Sequence, residues 1–183
     1  MADGLFYTDL REPFIGTDVA AVTLAATAKA LYPAGAFPVL GGQYFSRVGK
    51  KIRIRLFGRI TTGLTPGNGS FNVYYGTGAD ANGVLLMTGT PVALIASQTN
   101  LSWACELFVH CRSTGSAGTL FCTGRALFNS AVQAGPILLP ASAAAVSGAC
   151  DLSAALIVSV QYLRSGSTAE TMQVHDLEVV AMN

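Results

Sequence analysis

Charge is scarce in this chain of 183 residues: only 11% are Asp, Glu, Lys or Arg, against about 25% in an average soluble domain. The formal net charge is +1, which excludes the long-range pull of a strongly basic chain on nucleic acid or an anionic membrane. There are two histidines and one tryptophan, so acid–base catalysis would rest on few groups. The opening MADGLFYTDLREP has no basic n-region and carries acidic residues, unlike a signal peptide. The longest apolar stretch, LLPASAAAVSGACDLSAALIVSV, is broken by Pro140, Gly148 and Asp151, short of the run of about 18 that a membrane helix needs. Synthesis in a cytosol is expected, and the four cysteines are expected there as free thiols.

Apolar residues, by contrast, make up 51% of the chain. One domain of this length hides a sizeable core, yet the composition leaves more apolar surface than a small monomer covers. Association of subunits is the direct consequence, because an interface removes apolar area from water without using charge.

Strand periodicity dominates. KIRIRLFGRITT sets Ile52, Ile54 and Leu56 on one face and Lys51, Arg53 and Arg55 on the other. In LSWACELFVHC, the residues Leu101, Trp103, Cys105, Leu107, Val109 and Cys111 share one face, and Ser102, Glu106 and His110 share the opposite one. Trp103, Leu107 and Val109 are therefore core residues. FNVYYG, TLFCTGRALF, AALIVSVQYLRS and STAETMQVHDLEVVAMN read as further strands, and VLLMTGTPVAL as one or two around a bend. Between them lie turns rich in Gly, Pro and Ser, such as GLTPGNGS, GTGADANG and SGST. VAAVTLAATAKALY reads as a strand with Val22, Leu24, Ala26, Ala28 and Ala30 on one side. Region 129–152 reads as loop with one strand at most. About eight strands and no amphipathic helix predict an all-β sandwich over residues 19–183. Residues 1–18, with Phe6, Tyr7, Phe14 and Ile15 as apolar anchors, read as an extended N-terminal arm.

No catalytic, metal-binding or cofactor-binding set emerges. Cys105 and Cys111 face the core and His110 faces away, which separates thiol from base across the sheet. The cysteine spacings lack the close pair of a zinc site. Gly76, Gly78 and Ala81 fit the loose dinucleotide pattern, but Asn82-Gly83 and a strand follow where a helix must stand. His175 and Asp176 are neighbours in a strand and are expected on opposite faces. The one charge concentration is Lys50, Lys51, Arg53, Arg55 and Arg59. Either it is a solvated outer face, or Lys51, Arg53 and Arg55 meet an acidic protein partner. Nucleic acid would call for interleaved aromatics or a basic helix.

Four stretches in a fixed order, GQYFSRVGKKIRIRLFGRITTG, FNVYYGTGADANGVLL, SWACELFVHCRSTGSAGTLFCTGR and ALIVSVQYLRSGST with MQVHDLEVVAMN, carry a resemblance. Gly49-Lys50, Gly58-Arg59-Ile60, Trp103 and Arg112-Ser113-Thr114-Gly115 match the strand-and-turn pattern of a family of structural proteins from virions of tailed bacteriophages. The resemblance spans roughly residues 38–183 and leaves residues 1–37 unmatched. It implies a jelly-roll-like β-sandwich, commonly trimeric, that is not an enzyme and binds no cofactor. Such a protein acts as a capsid decoration (cement) protein on the major capsid protein. The alternative on the same fold is a tail-associated module that binds a receptor or carbohydrate, with Tyr74, Tyr75 and Tyr162 as its aromatic candidates.

Overall fold

The structure is a computed structural model that describes residues 21–42, 44–77, 80, 83–143 and 146–182. Two antiparallel sheets pack face to face as a jelly-roll-like β-sandwich. The strands are β1 (Val22–Thr23), β2 (Lys29–Ala30), β3 (Lys51–Thr61), β4 (Asn68–Gly76), β5 (Val84–Thr88), β6 (Val92–Ala93), β7 (Leu101–Ser113), β8 (Thr119–Phe128), β9 (Ile137–Leu139), β10 (Ile157–Arg164) and β11 (Thr171–Met182). One sheet has the order β1-β11-β3-β7-β8-β9. The other has the order β2-β10-β4-β5, with β6 also pairing β4. The long strands coincide with the alternating segments of the sequence. The count rises above eight because β1, β2, β6 and β9 are pieces of two or three residues.

The alternation of β3 and β7 is realised in full. Ile52, Ile54 and Leu56 are buried, as are Trp103, Cys105, Leu107, Val109 and Cys111. Trp103, only 3% exposed, reaches across β3 and donates from Nε1 to the Arg59 carbonyl at 3.1 Å. Gly58 lies directly opposite Trp103 in the register. A Cβ on Gly58 would stand 2.9 Å from Trp103 Nε1 and 1.9 Å from the Gln173 carbonyl. A glycine is required where an indole and a neighbouring strand both close in. From the facing sheet, Phe71 meets Trp103 at a centroid distance of 5.8 Å, Phe128 at 6.0 Å and Tyr162 at 4.8 Å.

The chain crosses between sheets at one corner in two places. Residues 19–32 are expected as a single strand, but their described part, 21–32, does not form one. β1 pairs β11 in one sheet, and β2 pairs β10 in the other. The bend between them leaves Ala26 exposed. The β10–β11 connection crosses beside it. There Glu170 is fully buried against Arg164, with Oε2 2.8 Å from Nε. Arg164 Nε directs its hydrogen to the Leu24 carbonyl at 3.1 Å, so the contact with Glu170 is mainly coulombic. Glu170 Oε1 accepts from Thr168 Oγ1 at 2.6 Å, and the Glu170 carbonyl accepts from the Leu24 N–H at 2.8 Å. The ion pair thereby ties both crossovers together.

Two local readings change. A bulge interrupts β11 between Val174 and Asp176. Val174 and Leu177 are both buried, so His175 and Asp176 share the outward side instead of splitting across the sheet. Lys50 is also turned inward. It is buried with its ammonium 4.2 Å from the Tyr44 ring centroid, because it precedes the outward-facing Lys51 by one residue.

Truncating Trp103 to Ala removes the indole from this junction and should cost about 3–5 kcal/mol. Urea denaturation of the variant should show a lower midpoint with native-like far-UV circular dichroism before the transition.

Candidate functional site: the outer face of the six-stranded sheet

Outward residues of β11, β3, β7 and β8 meet in rows, because each strand pairs the next in register. One row reads Glu178, Arg55, Glu106, Arg125, with Leu138 of β9 next in line. It is a ladder of alternating charge. Arg55 Nε donates to Glu106 Oε1 at 2.9 Å, and its Nη1 lies 3.6 Å from Glu178 Oε2. Arg125 Nη2 lies 3.1 Å from Glu106 Oε2. Arg53, one row along, donates to Glu178 Oε1 at 3.2 Å. The adjacent row on the other side is Asp176, Phe57, Ala104, Leu127. Phe57 and Leu127 are each 46% exposed, and Leu138 is 71% exposed. A shallow depression of about 280 Å³ lies between the two rows, lined by Arg55, Phe57, Ala104, Glu106, Arg125 and Leu127. Further along the face, His110 meets Phe121 edge-on at 6.1 Å, and Arg112 stands over the same ring at 4.6 Å.

Two of the outward basic residues of β3 have carboxylates at hand. Arg53 and Arg55 find their carboxylates within their own sheet, on β11 and β7. Any acidic partner would compete with Glu178 and Glu106 for them. Lys51 sits opposite His110 on β7. Burial, and then the charges of Lys51 and Arg112, hold the His110 imidazole below its ordinary pKa. The hydrogen bond from Arg55 is the leading cause that holds the Glu106 carboxyl below its ordinary value, with the nearby positive charges of Arg55 and Arg125 adding to it. Pairs this close to water stabilise a fold only slightly, about 0.2–1 kcal/mol each. Their main consequence is a surface pattern, fixed in position by β-sheet register.

The expected core residues Trp103, Leu107 and Val109 are all buried. Phe6, Tyr7, Phe14 and Ile15 lie outside the described residues. All four cysteines are buried and unbridged. Burial raises each thiol pKa, Cys122 to about 12. Of the tyrosines considered for a carbohydrate site, Tyr75 and Tyr162 are inside, and Tyr74 is half-buried. Among the described residues no three His, Cys, Asp or Glu side chains gather as metal ligands. The exposed apolar positions of the sheet face were not singled out from the sequence. Phe57 and Leu127 carry a signal, standing at polar-face positions of otherwise alternating strands; Leu138 lies in the stretch read mostly as loop and carries none.

No family model matches the chain, and no curated protein matches it significantly. Among solved structures, a legume lectin-like domain from Entamoeba histolytica aligns over 89% of this chain and 90% of that one, at 7% identity and a TM-score of 0.27. A similarity of that size has no bearing on activity.

Two outcomes follow. The native thiols should react with a disulfide reagent far more slowly than those of the urea-unfolded chain, because the thiolate is the reactive form; fast labelling of native protein would contradict their burial. Glu106 titrates lower in the folded state, so its stabilisation is complete above the ordinary carboxylate value of 4.5 and fades as pH falls through the lower folded value. Replacing Glu106 with Gln should cost about 1 kcal/mol or less at neutral pH. The gap to wild type should narrow on acidification between about pH 5 and pH 2, as read by denaturant midpoints.

Proposed function

We propose that this chain is a non-enzymatic structural protein of a bacteriophage virion, a capsid decoration protein that binds the head as a trimer and stabilises it. The observation that carries this reading is the outer face of the six-stranded sheet. It is a broad strand surface on which Glu178, Arg55, Glu106 and Arg125 pair among themselves and beside which Phe57, Leu127 and Leu138 stand exposed. The ladder and its apolar flank suit contact with a protein surface, since apolar area is removed from water while the charges of the ladder stay paired. The strand-and-turn resemblance to virion structural proteins and the low charge content point the same way.

Decoration needs binding energy alone. A subunit that bridges neighbouring capsomers opposes the outward force of packaged DNA without chemistry. In this reading residues 1–18 lie across the capsid lattice, with Phe6, Tyr7, Phe14 and Ile15 as anchors. Three arms acting together raise avidity without a tight single contact. The tail-associated alternative would need exposed aromatics for a sugar. It is less well supported, since Tyr75 and Tyr162 lie in the core.

Immunogold labelling of virions of the encoding phage tests the reading. Label over the head is the expected result; label restricted to the tail would favour the receptor-binding module, and unlabelled particles would end both. A chain lacking residues 1–18 should remain folded and lose capsid binding. Undiminished binding by that chain would remove the arm from the mechanism.

A further inference from the structure

The charge ladder has a symmetry that single pairs lack. Its four rungs run negative, positive, negative, positive across β11, β3, β7 and β8. An even, alternating row is complementary to its own reversal. We infer that this face binds a second copy of the same chain through a twofold axis that lies in the interface, between and parallel to β3 and β7.

Such an axis places β3 against β7 of the second copy, and β11 against β8. Rows keep their level along the strands while their order is reversed. Arg55 then faces Glu106 of the second copy, and Glu178 faces Arg125. In the next row Phe57 faces Ala104, so a large exposed ring meets the small residue of the shallow depression beside the ladder. In the row on the other side Arg53 faces Phe108, a cation over an aromatic side chain. Beyond it Lys51 faces His110, whose pKa is already lowered and which therefore meets the ammonium as a neutral ring. Met182 meets Phe121 at that level. Apart from Arg53 with Phe108, the charged residues that meet no complementary charge lie at the margins of the patch: Asp176 with Leu127, Arg59 with Ser102 and Lys51 with His110. Twofold contacts make every such pair twice, so each match counts double.

The area is sufficient. Four strands about 4.8 Å apart, each supplying nine residues at about 3.4 Å, make a patch of roughly 600 Å². Two such patches bury about 1,200 Å², the lower end of specific interfaces. The ion pairs within each sheet also orient the ladder before association, so few side chains lose freedom on docking. An axis parallel to β3 and β7 keeps the strands of the two copies nearly aligned, within the range of face-to-face sheets. The central β3 and β7 pairs therefore stay matched, and the outer pairs carry less.

The pairing uses the face that the virion reading gives to the capsid, so one copy makes one contact or the other: trimers pair into hexamers in solution and part on the head. Labelled heads decide the virion reading, and solution mass decides the pairing. The experiment uses two charge-segregated variants of the full chain. Arg55→Glu with Arg125→Glu makes all four rungs acidic, and Glu106→Arg with Glu178→Arg makes all four basic. By sedimentation velocity at micromolar concentration, wild type should be an even-numbered assembly. Each variant alone should fall to half that mass, and a 1:1 mixture should restore it. An odd-numbered or monomeric wild type, variants that keep the wild-type mass, or a mixture that does not reassociate would overturn the proposal. Phe57→Ser leaves every ion pair of the ladder in place and serves if the charge variants fail to fold by circular dichroism. It should halve the mass as well, and an unchanged mass would overturn the proposal.

Discussion

Phe71 is the point at which the two sheets of this protein meet. Its ring touches Trp103 and Phe128 from the facing sheet and Tyr162 from its own. Two glycines make room for that junction. Gly58 lets the Trp103 indole lie across β3, and Gly69 lets the Tyr162 ring approach β4, where a Cβ would come within 2.0 Å of its hydroxyl oxygen. Aromatic rings bury more area than any other side chains. Setting four of them together holds the sheets at a fixed distance and angle.

The charges are few, and most of the ion pairs gather in two places. The buried pair of Arg164 and Glu170 sits at the corner where the chain passes twice between sheets. Removing one partner of a buried pair leaves an uncompensated ion, which typically costs about 3–5 kcal/mol. The pair therefore also specifies which segments meet there. The second place is the ladder on the outer face. Exposed pairs add little to stability, so their arrangement in a neutral, alternating row matters more for what the face can touch than for whether it folds. A row with balanced charge and apolar flanks can be covered by protein without stranding an ion.

Much of this was legible in the chain. The period-two alternation of β3, β7 and β8 survives intact, down to the inward cysteines and Trp103, because each is a long central strand with one face on the core. The pieces that escaped are those in which one segment serves two sheets or in which pairing is irregular. Residues 22–30 alternate as a strand should, yet they bend and divide between sheets. His175 and Asp176 share a side because a bulge adds a residue that no local pattern announces. Lys50 belongs by composition to the basic cluster and by geometry to the interior. The carboxylates that neutralise Arg53 and Arg55 come from positions 51 to 125 residues away in the chain.

The sequence by itself determined which side of each long strand would be buried, because side-chain direction along a strand is local and depends only on alternation. It also determined that the fold would be all-β and poor in charge. Only the tertiary structure decided which strands are neighbours and in what register. From that came the alternating ladder, the row beside it in which Phe57 and Leu127 stand exposed on either side of Ala104, and the burial of Tyr162. The physical reason is that register is set by non-local hydrogen bonds and by packing between sheets. A shift of one residue in a strand would preserve its alternation yet turn its apolar set outward, and a shift of two in β3 would keep the core while breaking the rungs that Arg55 makes with Glu178 and Glu106.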